Sequence, residues 1–215
     1  MTLLVSYPRS GNTWIRYIVE TISGRPTIGD NNAIDVPIHC KVPSITITDK
    51  RPILFKRHQF RRGEEGPLIV IVRDYKEAII RHGGKEIFRN GDVCNHKQLL
   101  GSIQLYVGVL RRYDEWQEPK MLIYYEDLIS KPNREITKLS KFLGLDADKT
   151  IAFLTQCDQH KKTSVEYYDS FAGSQTKGEA IKHHAKSVSQ KSLATLTNMM
   201  KKHPVLYKKY LRRYG

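Results

Sequence analysis

The stretch LLVSYPRSGNTWIRYIVE, residues 3 to 20, constrains this chain more than any other. An apolar run from Leu3 to Tyr7 breaks into Pro8-Arg9-Ser10-Gly11-Asn12, and from Thr13 the apolar residues return at helical spacing. A strand, a tight turn holding a glycine, and a helix together aim free backbone N–H groups and the positive end of a helix dipole at one spot. Such a spot suits an anion. The string is not the nucleoside-triphosphate pattern G-x-x-x-x-G-K followed by Ser or Thr, because it has no first glycine and no Lys-Ser or Lys-Thr pair. That disfavours a triphosphate-dependent kinase. On glycine and serine alone, an ordinary strand-to-helix turn with Arg9 at the surface is the plain alternative.

The rest of the chain alternates in the same way. Leu3 to Tyr7, Ile53 to Phe55, Leu68 to Val72 and Met121 to Tyr125 are short apolar runs, continuous rather than alternating, as strands covered on both faces are. Helical spacing predicts helices over Thr13 to Ile22, Lys76 to Phe88, Lys97 to Trp116, Arg134 to Leu143, Lys149 to Leu154, Leu193 to Met200 and Leu206 to Tyr210. Gly144 is a helix stop. Strands alternating with helices imply an α/β fold, a three-layer α/β/α arrangement around a central, mainly parallel sheet. Gly24 to Pro52 reads as a long connection that carries acceptor contacts, and Gln159 to Ser187, polar and weakly patterned, as a mobile lid.

With 215 residues, a single domain over 1–215 is expected. No stretch approaches the roughly 18 apolar residues of a membrane span, and Tyr7, Pro8 and Arg9 interrupt the first apolar run too early for a secretory leader. The expected location is therefore cytoplasmic, unless the sequence is one trimmed of a targeting segment. Cys40, Cys94 and Cys157 are odd in number and far apart, which fits neither a disulfide framework nor a zinc site, and no metal is expected. The excess of 36 Lys and Arg over 22 Asp and Glu, a net +14, favours a polyanionic ligand: nucleic acid, a nucleotide or an acidic polymer.

The string Tyr7-Pro8-Arg9-Ser10-Gly11-Asn12-Thr13-Trp14 resembles the 5′-phosphosulfate loop of the sulfotransferases, usually Y-P-K-S-G-T-T-W. Members of that family transfer a sulfuryl group from 3′-phosphoadenosine 5′-phosphosulfate (PAPS) to a hydroxyl or amine on a P-loop-like fold and release adenosine 3′,5′-bisphosphate (PAP). The resemblance implies that Arg9, Ser10, Gly11, Asn12, Thr13 and Trp14 surround the 5′ phosphosulfate, with Arg9 at the usual lysine position. Ile69 to Ala78, containing Arg73-Asp74-Tyr75-Lys76, is similar to the second signature, which binds the 3′ phosphate through Arg73. Eight residues on, Arg81, followed by His82, stands where the family has a serine on that phosphate. Phe55-Lys56-Arg57-His58 resembles the K-T-H segment, which makes His58 the general base and Lys56 its helper at the sulfuryl group. Tyr124-Tyr125-Glu126-Asp127-Leu128 is similar to the Y-E-D-L segment and puts Tyr125 near the adenine, while Thr176-Lys177-Gly178 answers loosely to an R-K-G element, implying Lys177 and Gly178 at the 3′ phosphate. Similarity is good over about residues 1 to 145 and loose beyond.

The implied chemistry is alignment plus charge stabilisation. Arg9, Lys56 and the loop amides would neutralise charge on the leaving oxygen, and His58 would take the acceptor's proton, with no metal required. The acceptor would be a small molecule or a glycan. Lys41, Arg57, Arg61, Arg62 and Lys85 hint that it is anionic, or else merely complement the cofactor or solvent. Two rivals remain at this point. One is a kinase of the same fold. The other is a nucleic-acid-binding module using the basic Lys201-Lys202, Lys208-Lys209 and Arg212-Arg213, although these fit a solvated amphipathic helix better.

Overall fold

The computed structural model of the chain describes residues 1–30, 36–171 and 187–215, with backbone alone over 167–171. Its sheet has five strands, β1 (Thr2–Ser6), β2 (Thr27–Gly29), β3 (Leu54–Arg57), β4 (Leu68–Val72) and β7 (Lys120–Tyr124), in the order β2-β3-β1-β4-β7, and every pairing is parallel. A two-residue hairpin, β5 (Phe88–Arg89) with β6 (Asp92–Val93), stands apart from it.

Helices cover both faces, which is why the strands read as unbroken apolar runs. Leu3 and Val5 of β1 with Leu68, Val70 and Val72 of β4 pack against α2 (Tyr75–Ile87), α3 (His96–Glu115) and α8 (Gln190–Lys201). Leu4, Ile69 and Ile71 point the other way, into α1 (Asn12–Ser23), α5 (Pro132–Leu143) and α6 (Ala147–Thr155). Each such side chain fully removed from water contributes about 1.5–3 kcal/mol. The α1 stripe is Trp14, Ile15, Ile18, Val19 and Ile22, the i, i+3, i+4 spacing of an amphipathic helix. Gly144 closes α5 in the left-handed region (φ 63), as its sequence position predicts.

Three departures from the sequence reading have physical causes. The connection from Gly24 to Pro52 contains β2, whose three residues are too few to show a period but pair in parallel with β3. Glu20 on α1 holds this segment down. Fully buried, it accepts the N–H groups of Thr27 (3.0 Å), Ile38 (2.9 Å) and His39 (2.8 Å). Residues 157–171, expected to open a lid, form the helix α7 (Cys157–Phe171), packed on α1 through Tyr17 and His160. The remainder of that expected lid, 172–186, lies outside the described residues. Last, Tyr125–Ser130 forms a short helix, α4, directly on the end of β7.

The C-terminal segment follows α8 as a turn of helix, α9 (Pro204–Leu206), a π-turn over Tyr207–Leu211 and a 3-10 turn over Arg212–Tyr214. Leu206, Tyr210, Leu211 and Tyr214 bury themselves in the core shared with α2 and α3. Its cations turn outward, two of them onto acids: Lys209 pairs with Asp114, and Arg213 clasps both oxygens of Asp127 at 2.9 and 2.7 Å.

Candidate functional site

Because all five strands are parallel, their carboxyl ends share one edge of the sheet. The chain leaves β1 toward β3 on one side and β4 on the other, and a crevice at such a reversal is where open α/β sheets bind ligands. Residues 7–11 follow β1, His58 follows β3, Arg73 follows β4 and Tyr125 follows β7, so four separate stretches of sequence deliver their side chains to this edge.

The turn after β1 is shaped by two left-handed residues. Gly11 has φ 104 and Arg9, unusually for a residue with a Cβ, φ 65. Gly11 is the N-cap of α1, its carbonyl accepting from Trp14 N–H at 3.1 Å. The amides of Asn12 and Thr13 come before any intrahelical acceptor, and no acidic residue sits in the first turn to answer them. Around this helix start Ser10 Oγ, both polar atoms of the Asn12 amide and Trp14 Nε1 are buried with no hydrogen-bond partner. Ser10 is only 1 % exposed and Asn12 only 8 %. Orphaned polar atoms cost about 1–3 kcal/mol each, and two of these, Ser10 Oγ and Asn12 Nδ2, are donors beside a positive helix end, a cradle fitted to an anionic group that brings its own acceptors.

Arg73, 8 % exposed, crosses to this loop. Its Nη1 donates to the Arg9 carbonyl at 3.0 Å, and its guanidinium lies over the Tyr125 ring with the carbon 4.6 Å from the centroid. Tyr125 in turn rests on Gly11, where an added Cβ would meet the ring Cδ2 at 2.4 Å. Arg9, Arg73, Tyr125 and Gly11 thus form one closed chain of contacts. Trp14 faces the other side of the loop, stacked on Tyr17 at 5.5 Å with Phe153 at 6.1 Å.

His58 donates from Nδ1 to the carbonyl of Ser6 at 3.0 Å. A carbonyl can only accept, so a proton sits on Nδ1, and in the neutral form of the ring the lone pair is on Nε2. Lys56, two residues earlier and buried, pairs in register with Leu4 of β1. Its neighbour Arg57 is turned away onto Glu64 (2.7 Å) and Asp30 (3.3 Å), and Arg61 reaches the same Asp30 at 2.8 Å. These two arginines are therefore matched by acids, which removes two of the five cations behind the sequence hint of an anionic acceptor.

Arg81 stands half-buried on α2, three residues before the kink at Gly84. His82 beside it sets its ring edge-on to Tyr7 at 5.4 Å, and burial, then the charge of Arg9, lowers its pKa. Lys177 and Gly178 lie outside the described residues. Among the described residues no group of His, Cys, Asp or Glu could hold a metal ion, and no helix is long and apolar enough to cross a membrane. The three cysteines are free thiols.

Sequence reasoning missed what stands behind Arg73. Tyr106 of α3 donates its phenol to the Arg73 carbonyl, and Glu126 of α4 accepts the next amide, Asp74 N–H, at 2.9 Å. Glu126 also accepts the Tyr214 hydroxyl at 2.6 Å. The one available signal was Glu126 within Y-E-D-L, a motif that says nothing of its partners.

Known proteins resemble the chain in sequence and in fold. The chain is 25 % identical over 171 residues to WSCD family member GA21586 of Drosophila pseudoobscura pseudoobscura, covering 70 % of this chain and 52 % of that protein. It is 25 % identical over 163 residues to WSCD family member CG9164 of Drosophila melanogaster, covering 66 % of this chain and 50 % of the relative. The chain thus spans about half the length of the curated relatives it matches. Among solved structures, mouse sulfotransferase SULT7A1 complexed with PAP superposes with a TM-score of 0.60 at 15 % identity, over 94 % of this chain and 82 % of that one, which establishes the P-loop-like α/β fold. The family model for the sulfotransferase domain matches residues 1–209, and the chain accordingly belongs to the sulfotransferase domain family, whose members are transferases.

Proposed function

We propose that the chain transfers a sulfuryl group from PAPS to a hydroxyl or amine of a small-molecule or glycan acceptor. The observation that carries this reading is the cradle at the start of α1. Ser10 and Asn12 bury polar atoms without partners beside the helix N-terminus, and Arg73 is tied to the same loop while His58 hangs from the strand that leads into it. The PAP bound to mouse SULT7A1, a protein of the same fold, supports a bisphosphorylated adenosine as the ligand class.

In this reading the amides of residues 10–13 and the Ser10 hydroxyl hold the 5′ phosphosulfate. Arg73 and Arg81 take the 3′ phosphate, Tyr125 lies near the adenine, and Lys177 and Gly178 close over the nucleotide. His58 Nε2 accepts the acceptor's proton as its oxygen bonds to sulfur, and the sulfur–oxygen bond to the 5′ phosphate breaks. Arg9 and Lys56 balance the charge that collects on that phosphate; each such contact is typically worth about 3 kcal/mol in a site shielded from water. Arginine binds this charge without giving up a proton, so Arg9 acts electrostatically only.

Isothermal titration of PAP against ATP, with and without magnesium, tests the ligand class, and a screen of acceptors with radiolabelled PAPS tests the reaction. PAP should bind without magnesium and more tightly than ATP. His58→Ala should keep PAP affinity within about twofold while turnover falls by 10²–10⁴, the usual contribution of a general base. Tighter binding of ATP, or unchanged turnover in His58→Ala, would overturn the proposal.

A further inference from the structure

The carbonyl of Arg73 and the N–H of Asp74 belong to one peptide group, the first beyond the end of β4. It is gripped at both ends by side chains from other elements: Tyr106 of α3 donates to its oxygen, and Glu126 of α4 accepts from its nitrogen at 2.9 Å. A peptide plane held at both atoms cannot rotate about the chain axis, so the direction in which the Arg73 side chain departs is fixed. Glu126 is itself held, because its second oxygen accepts the Tyr214 hydroxyl at 2.6 Å. Around it the C-terminal segment repeats the attachment: Tyr124 donates its hydroxyl to the Tyr210 carbonyl at 3.2 Å, and Arg213 lies over the Tyr124 ring at 4.4 Å while clasping Asp127. Residues 124–127 are thus bound to residues 210–214 on one side and reach the peptide after Arg73 on the other.

We infer that the C-terminal segment is a working part of the donor site: Tyr214, through Glu126, and Tyr106 are positioning residues that set the direction from which Arg73 meets the 3′ phosphate. The inference rests on the sulfotransferase reading above, since it is that reading that gives Arg73 a 3′ phosphate to meet. An arginine stacked on Tyr125 and bonded to the Arg9 carbonyl has little freedom to correct a rotated backbone. A forked guanidinium reads a phosphate through the direction of its N–H groups as much as through its charge. Both phenols are dependable donors, because burial raises the Tyr106 and Tyr214 pKa values well above the ordinary tyrosine range.

The test compares the dissociation constants of PAP and adenosine 5′-monophosphate by calorimetry, in the wild-type chain and in Tyr214→Phe, Tyr106→Phe, Glu126→Ala and Glu126→Gln, with Tm recorded for each. The ratio of the two constants isolates the 3′ phosphate. Wild type should prefer PAP by tenfold or more. Tyr214→Phe, Tyr106→Phe and Glu126→Ala should each cut that preference at least fivefold and leave the monophosphate constant within twofold. Glu126→Gln, whose remaining oxygen still accepts from Asp74 N–H, should keep the wild-type ratio within about twofold. If wild type shows no preference for PAP, the sulfotransferase reading fails, and this inference with it. If the preference is present and survives the first three substitutions, or both constants weaken together as Tm falls, the positioning role is overturned and the reading of the site stands.

Discussion

Arg9 illustrates how much one position can be asked to do. In the proposed reading its charge serves the phosphosulfate, yet its backbone sits in the left-handed region (φ 65), where a residue with a Cβ pays about 1–2 kcal/mol. Both Arg9→Ala and Arg9→Gly delete the guanidinium, but only the glycine variant relieves the backbone. The two should therefore lose turnover equally, while Arg9→Gly unfolds at higher denaturant, about 1 kcal/mol more stable than Arg9→Ala; equal midpoints would mean that the conformation is unstrained. The role proposed for Arg9 comes only from matching the surrounding motif, and its backbone was not readable at all, because φ follows from the turn that Tyr125 and Arg73 enforce. His82 shows the same limit. Its contact with Tyr7 depends on α2 crossing β1, which no local string encodes.

Among elements, the unit from β1 to α1 is the one that local sequence determines best, and the place where it meets α4 is where tertiary structure takes over. Gly11 is needed there twice, for its φ of 104 and for the space occupied by the Tyr125 ring, 2.4 Å from where a Cβ would stand. Gly11→Ala should lower stability by about 1–3 kcal/mol and push Tyr125 out of its stack on Arg73. The measurable outcome is a lower Tm together with PAP affinity reduced at least tenfold; intact affinity would separate the Gly11–Tyr125 contact from binding. The strands β1 and β4 were legible because both faces are covered, so each carries a buried apolar run, whereas β3 ends in Lys56 and Arg57 and β7, at the sheet edge, opens on the exposed Lys120. The strand β2 and the helix α7 were not. The first is three residues long, and the second has a weakly apolar face that becomes buried only through Tyr17 and Phe153, contributed by other helices.

For the molecule as a whole, the C-terminal segment returns to the sheet edge and is fastened by carboxylates. Hydrogen bonds from Arg213 lower the pKa of Asp127, and those from Lys209 and then Tyr210 lower that of Asp114. A carboxyl whose pKa is lower folded than unfolded stabilises the fold above the ordinary aspartate value of about 3.9 and loses that contribution as pH falls through the lowered value. Asp74, raised mainly by burial, works in the opposite sense, its contribution being lost as pH rises through its folded value. The double variant Asp114→Asn/Asp127→Asn should accordingly show a smaller fall in Tm between pH 5 and pH 3 than wild type, roughly in the window where these groups take up protons. A fall as steep as in wild type would place the acid sensitivity elsewhere.

By itself the sequence determined the elements whose cause is local: the apolar runs of β1 and β4, α1 with its stripe, the glycines at Gly11 and Gly144, and the order in which Arg9, His58, Arg73 and Tyr125 follow apolar runs. Parallel strands place all of those ends on one edge, while the order of the strands, β2-β3-β1-β4-β7, came only from the structure. Only the tertiary structure decided how each side chain is held. The grip of Tyr106, Glu126 and Tyr214 on the peptide after Arg73 joins residues up to 141 positions apart (73 to 214). Directional hydrogen bonds over such separations exist only after helices and sheet have packed, and they leave no period or motif along the chain.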